Sequence, residues 1–327
     1  MSINVGIIGA GTIAHKMSQT IQAVEGANAY AIASRNAQRA AVFAEKYQFE
    51  KAYDSYERML KDPAVDLVYV ATPHSHHYEH ARLALERGKA VLCEKPFSVN
   101  AEQSKKLIAA AQVKNLFITE AIWTRYLPMR KTLEEILDRK VIGEIFSLSG
   151  NLGYPNKDLE RMKDPNLAGG ALLDLGVYAV HFAFMVFPSQ TLRSIHSFAI
   201  KTEENVDLQN SFTLQFEDQK MAVLSSSMAA VLDRRGMIHG SEGYIEVDNI
   251  NHIQQIKVYN KNHELIEEHK APPEITGFEY ELLASIHAIE NGKLECEEIT
   301  HEETIKVMEV MDQLRAEWGM VYPGLEW

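Results

Sequence analysis

The sequence predicts an α/β chain in two parts: an N-terminal Rossmann-type doubly wound parallel sheet, then an α+β part with a large open antiparallel sheet. Three observations predict it. The apolar strand Ile3–Ile8 runs straight into Gly9-Ala10-Gly11-Thr12-Ile13-Ala14 and an amphipathic helix pattern. Short β-rich runs alternate with helical patterns to about residue 120, and beyond it the pattern becomes a series of hairpin-spaced strands.

In chain order, the strands expected in the first part are 3–8, 27–33, 66–71, 89–93 and 116–119. Asp66-Leu67-Val68-Tyr69-Val70-Ala71 is apolar on both faces, as a central parallel strand covered by helices must be. A helix over 76–87 follows it, and another over 127–139 precedes the change of pattern. The second part reads as strands 144–152, 192–200, 209–217, 220–227, 234–240, 244–248 and 254–259, antiparallel by their spacing. Glu217-Asp218-Gln219 and Gly240-Ser241-Glu242-Gly243 are the turns. A helix over 170–186 interrupts these strands, and acidic helices over 277–291 and 300–318 close the chain. The expected division is 1–121 for the nucleotide and 122–327 for substrate and dimerisation. So large a sheet has a second face to cover, which points to a homodimer, with a solvated face as the alternative.

A chain of 327 residues, 46% hydrophobic, is long for one core and comfortable for two. Its net charge of −12 argues against nucleic acid or an anionic membrane as partner. No segment approaches the ~18–20 uncharged apolar residues of a membrane span, and no basic region precedes an apolar signal core, so a cytoplasmic protein is expected. Cys93 and Cys296 lack metal-ligand spacing and read as free thiols.

Four places carry chemistry. Gly9 and Gly11 allow a tight turn that brings backbone N–H groups of Thr12 and Ile13 to a pyrophosphate, while Ala14 lets helix and strand pack closely. The second strand ends in Ser34-Arg35-Asn36-Ala37-Gln38-Arg39, where NAD sites usually place an acid for the ribose hydroxyls. Here the acid is missing. Arg35 and Arg39, four residues apart, form a clamp for a 2′-phosphate and predict NADP over NAD, with solvated surface arginines as the alternative. Thr72, Pro73, His74 and His77 follow the central strand and should run beside the cofactor. Their histidines invite a metal reading, which fails for want of a matching carboxylate or cysteine spacing and because adjacent His76 and His77 point apart. Cys93-Glu94-Lys95-Pro96 puts Lys95, with Glu94 beside it, at a strand's carboxyl end. In the helix opened by Gly169-Gly170, Asp174 and Tyr178 stand four apart on one face, with His181 close by. A carboxylate and a phenol among Ala, Leu and Val need partners, so this helix faces a polar cleft or carries a buried hydrogen-bond network.

At these residues the chain resembles the glucose–fructose oxidoreductase / inositol dehydrogenase family of NAD(P)-dependent enzymes over essentially its whole length. The resemblance rests on Gly9-x-Gly11-x-x-Ala14, on Ala71-Thr72-Pro73 with His77, on Glu94-Lys95-Pro96 and on the glycine-led helix with Asp174. Many sugar dehydrogenases of the family carry His where Tyr178 stands and Asp where His181 stands. These departures, with Glu120-Ala121-Ile122-Trp123-Thr124-Arg125-Tyr126, Leu172-Leu173-Asp174-Leu175-Gly176-Val177-Tyr178 and the tail Trp318-Gly319-Met320-Val321-Tyr322-Pro323, are similar to the dimeric dihydrodiol dehydrogenase and NADP-dependent D-xylose dehydrogenase subgroup. The resemblance implies hydride transfer, with Lys95 and Tyr178 handling the proton, Asp174 supporting them and Arg35 on the 2′-phosphate. Trp123 would line the substrate pocket, with Arg125, Tyr154, Asn156 and Phe278 as further candidates; a sugar, polyol, cyclic diol or related carbonyl is the expected substrate. Two other readings compete: a non-catalytic NADP(H)-sensing regulator, and a redox-neutral glycosidase that retains its nucleotide.

Overall fold

The computed structural model describes residues 2–188 and 190–324. Its first stretch alternates strands β1 (Ile3–Ile8), β2 (Ala27–Ala33), β3 (Lys51–Tyr53), β4 (Leu67–Val70), β5 (Ala90–Glu94) and β6 (Ile118–Ala121) with helices α1 (Thr12–Ala23), α2 (Ala37–Tyr47), α3 (Tyr56–Leu60), α4 (His77–Glu86) and α5 (Ala101–Lys114). After α6 (Pro128–Asp138) come β7 (Ile145–Gly153), the short α7 (Glu160–Lys163), a π turn over Leu172–Gly176 and α8 (Val177–Val186). Then follow β8 (Leu192–Lys201), β9 (Asp207–Phe216), β10 (Met221–Ser227), β11 (Gly236–Gly240), β12 (Gly243–Val247), β13 (Gln255–Asn260) and β14 (Leu265–Lys270). Helices α9 (Glu279–Glu290) and α10 (His301–Glu317) close the series.

Two compact units result, Met1–Tyr126 with Glu274–Met308, and Leu127–Pro273 with Glu309–Trp327. Residues 274–308, which the sequence reading placed in the second domain, therefore pack with the first, and the division falls within α10.

In the first unit the six strands are parallel in the order β3-β2-β1-β4-β5-β6, a doubly wound arrangement whose direction reverses between β1 and β4. Every residue of β4 is buried, as expected of a central strand. Asparagines set the starts of the flanking helices: Asn36 caps α2 by accepting from the Arg39 N–H at 2.9 Å, and Asn100 caps α5 by accepting from the Gln103 N–H at 2.8 Å. The edge strand β3 is an addition to the expected set.

The second unit's sheet has eight strands in the order β14-β13-β12-β11-β7-β10-β9-β8. Its pairs are antiparallel with one exception, the parallel pair β7–β10, which spacing along the chain did not reveal. Apolar α8, buried except at Met185, covers one face. The stretch Pro165–Val186 is 22 residues long and apolar enough to cross a membrane by composition, contrary to expectation. It is a core segment instead, 94% of its most apolar window being buried. On the other face Phe198 and Ile200 of β8 are 82% and 58% exposed and Met221 and Val223 of β10 are 42% and 45% exposed, with Gln209, Ser211, Thr213 and Gln215 of β9 between them.

Candidate active site

The first unit gathers its functional residues at the carboxyl ends of its strands. Gly9 leaves β1 with φ +99°, and a Cβ there would stand 2.7 Å from the Ala71 carbonyl oxygen, so only glycine lets the loop lie against the end of β4. Helix α1 begins at Gly11 with no side-chain cap and no acid in its first turn. Its amide groups and positive dipole end are thus available to an anionic group, which fits a dinucleotide's pyrophosphate.

At the end of β2, Ser34 is buried, donating its N–H to the Tyr53 carbonyl at 3.1 Å and accepting from the Asn36 N–H at 3.3 Å. Arg35 and Arg39 are exposed. The Arg39 guanidinium also donates to the Ala10 carbonyl at 2.6 Å, which ties α2 to the glycine loop. Beside it lies a cavity of about 410 Å³ whose lining includes Ala10, His15, Asn36, Arg39, Phe43 and Lys46. His15 stacks on Phe43 at 4.7 Å, and partial burial together with the charges of Lys46 and Arg39 holds its imidazole below the usual range. This concentration of positive charge in an acidic protein suits a phosphate monoester. His15 and Lys46 were not singled out from the sequence, because only the packing of α1 against α2 brings them to this cavity.

The loops after β4 and β5 brace one another. His77 is fully buried, its Nδ1 2.8 Å from the Pro96 carbonyl and its Nε2 2.8 Å from the Thr72 carbonyl. Burial, the largest influence, lowers its pKa. Glu94 is 7% exposed and accepts from the Tyr69 hydroxyl and, at 3.1 Å, from the Lys95 N–H. The Phe97 N–H donates to Glu120 at 2.9 Å. His77 and Glu94, expected from the sequence to meet the cofactor, are buried and brace the cis Lys95–Pro96 segment. Lys95 itself is half-buried. Thr72 contacts His80 Nδ1 at 3.0 Å, Pro73 is exposed, and His74 is buried edge-on to His77 at 5.8 Å. Glu281 of α9 is fully buried, and neither carboxyl oxygen has a hydrogen-bond partner among the described residues. Burial and then the charge of Glu94 push its pKa well up.

Beyond β6, a short 3₁₀ turn over Trp123–Arg125 separates two expected substrate residues. Trp123 is half-buried and stacks on Phe278 with centroids 4.9 Å apart and 19° between planes, with Lys16 over the Phe278 ring at 5.7 Å. Arg125 turns inward to 4% exposure, paired with Glu303 at 2.7 Å and donating to the Glu298 carbonyl at 3.2 Å. From there it braces the turn against the Glu298–Glu303 segment.

In the second unit the expected helix over 170–186 begins as the π turn. Asp174, its middle residue, is 4% exposed and accepts from both terminal nitrogens of the Arg161 guanidinium, Nη1 at 2.9 Å and Nη2 at 3.3 Å. Arg161 had no signal in the sequence, since α7 is too short to show a periodicity. Tyr178 is 7% exposed and His181 fully buried. The Tyr154 hydroxyl lies 3.4 Å from both Arg234 Nη1 and Asn251 Nδ2, with the guanidinium stacked over its ring at 5.5 Å.

Residues 3–121 match the model of an oxidoreductase family described as having an NAD-binding Rossmann fold, and residues 131–246 match the GFO/IDH/MocA C-terminal domain. A trans-1,2-dihydrobenzene-1,2-diol dehydrogenase from Xenopus tropicalis is 32% identical over 99% of this chain and 100% of its own length. The chain belongs to the GFO/IDH/MocA oxidoreductase family. The Homo sapiens dehydrogenase of the same name is 30% identical over 99% of both chains. Among solved structures, a 3-ketoreductase from Actinomadura kijaniata, with a tyrosine replaced by phenylalanine and in complex with TDP-benzene and NADP, superposes with a TM-score of 0.88. It is 26% identical and covers 97% of this chain and 98% of its own. An aldose-aldose oxidoreductase from Caulobacter crescentus, 19% identical, shares the fold with a TM-score of 0.86 over 98% of each chain. As a member of the GFO/IDH/MocA family the chain is an NAD(P)-dependent dehydrogenase or reductase.

Proposed function

We propose that this oxidoreductase uses NADP to interconvert a secondary alcohol, in a cyclic diol or a sugar, with its carbonyl, and that Lys95 and Tyr178 are its acid–base pair. The observation that carries the reading is the start of α8. A carboxylate and a phenol, Asp174 and Tyr178, each under a tenth exposed, stand one turn apart in a buried and otherwise mostly apolar segment, with His181 the other polar side chain of its helix. Keeping such groups under a tenth exposed is costly, which suits a polar cleft at this point. The relatives named dihydrodiol dehydrogenases support a diol substrate, and the ketoreductase structures, solved with NADP and with a lysine or a tyrosine replaced, support the pair.

The uncapped α1 N-terminus and the glycine loop would hold the pyrophosphate, and Arg35, Arg39 and Lys46 the 2′-phosphate. When bound, the nicotinamide gives or takes the hydride. The chain's own task is the proton and the developing oxyanion. A phenol with pKa ~10 is a weak base at neutral pH, and a lysine ammonium brought beside it would stabilise its anion; in this reading Lys95 plays that part, and Tyr178 would take the substrate hydroxyl proton in oxidation and return it in reduction. Asp174, held by Arg161, orients the reacting hydroxyl. The four exposed apolar side chains on one sheet face, Phe198, Ile200, Met221 and Val223, support a homodimer. The test is a panel of trans-1,2-dihydrobenzene-1,2-diol, aldoses, inositols and dicarbonyls with either coenzyme. NADP is expected to exceed NAD in kcat/KM by at least ~10-fold, about 1.4 kcal/mol, and a preference for NAD would remove the arginine clamp.

A further inference from the structure

Beneath the π turn runs a line of buried polar groups with no part in the chemistry above. Asp207, at the start of β9, is fully buried. Its Oδ2 accepts from the N–H of Leu172, the first residue of the turn, at 2.7 Å, and from Asn210 Nδ2 at 2.7 Å. Asn210 Oδ1 accepts in turn from the Ser226 hydroxyl at 3.0 Å. A Cβ on Gly176, the last residue of the turn, would stand 3.1 Å from Ser226 Oγ. One on Gly170, which leads into the turn with φ +113°, would stand 2.2 Å from Asp207 Oδ1. The line therefore meets the turn at both ends without slack. A π turn lacks the regular i→i+4 ladder and persists where its surroundings impose it.

We propose that Asp207 is a positioning residue: through Leu172, Asn210 and Ser226 it fixes the π turn and hence the aim of Asp174, and its ionisation tightens that hold. The inference rests on the catalytic reading of Asp174 and Tyr178.

The charged and titratable groups facing Asp207 are Arg315 of α10, 2% exposed and paired with Asp312, and Tyr322, whose hydroxyl donates to the Gly169 carbonyl at 2.6 Å. Burial outweighs these and its hydrogen bonds, raising the Asp207 carboxyl to about 7. Oδ1 has no hydrogen-bond partner among the described residues. A carboxylate accepts from an amide more strongly than a neutral acid does, so the turn is held most firmly above that pH.

The test compares wild type with Asp207→Asn, measuring kcat/KM for trans-1,2-dihydrobenzene-1,2-diol at saturating NADP across pH. The ratio of wild type to variant should rise about 10-fold with a midpoint near 7, while the KM for NADP changes less than about twofold. A ratio flat with pH overturns the proposal. Should Asp207→Asn fail to fold, Ser226→Ala cuts the far end of the line: kcat about threefold lower with an unchanged KM for NADP supports it, and full kcat overturns it. Tyr178→Phe run alongside separates the two levels. If it keeps full turnover, the catalytic reading falls and this inference with it; if it is inactive and the ratio is flat, only the role of Asp207 falls.

Discussion

Asp207→Asn should also flatten the pH dependence of stability, by an amount that follows from burial. The carboxyl rises from an ordinary 3.8 to about 7 on folding. Between those values the folded state holds a proton that the unfolded chain has released, so stability falls as pH rises, and the loss is complete above about 7. At ~1.4 kcal/mol per unit the whole effect is about 4 kcal/mol, of which about 2.5 kcal/mol falls between pH ~5 and ~8. Asparagine carries no such proton. Urea unfolding of both proteins at those two pH values gives the difference in stability directly, and other carboxylates cancel in it. Wild type should lose about 2.5 kcal/mol relative to the variant on going to the higher pH. A change under ~0.5 kcal/mol would refute the assignment of a neutral, buried Asp207.

Two further predictions concern the first unit. Gly9→Ala forces a Cβ to 2.7 Å from the Ala71 carbonyl at φ +99°, and should cost about 1–3 kcal/mol of stability and at least ~10-fold in NADPH affinity by fluorescence titration; unaltered affinity would show that the loop is not where the pyrophosphate rests. Trp123→Ala removes the ring stacked on Phe278 and should raise the KM for the diol about 10-fold while leaving the NADPH Kd within about twofold; an unchanged KM takes Trp123 out of the substrate pocket.

What was legible in the sequence depended on range. The glycine loop and the buried β4 follow from local composition and stand where expected, while the apolar helix expected over 170–186 is α8 only from Val177, after the π turn. Strand β3 is three residues long and β14 is Leu-Ile-Glu-Glu-His-Lys, so neither shows clean alternation. The parallel β7–β10 pair joins strands more than sixty residues apart, beyond the reach of any turn signal. Motif residues were found, but their division of labour was not. In Thr72-Pro73-His74 and Glu94-Lys95-Pro96 a polar residue at a strand end reads as a ligand group, and the sequence does not show that His77 also meets two carbonyls and Glu94 the Tyr69 hydroxyl. The Arg125–Glu303 pair is equally hidden, because Glu303 lies far along the chain in α10. Conversely, Arg161, Lys46 and Asp207 reach their places through packing alone, which no motif announces.

The most direct test of the account is the turnover of Tyr178→Phe, a change that removes one hydroxyl from a residue 7% exposed. With NADP and the best substrate of the panel, kcat should fall ~100-fold or more, with the Kd for NADPH within about twofold of wild type. Turnover within about threefold of wild type, at equal NADPH affinity, would contradict the role of Tyr178 as the proton-transferring group.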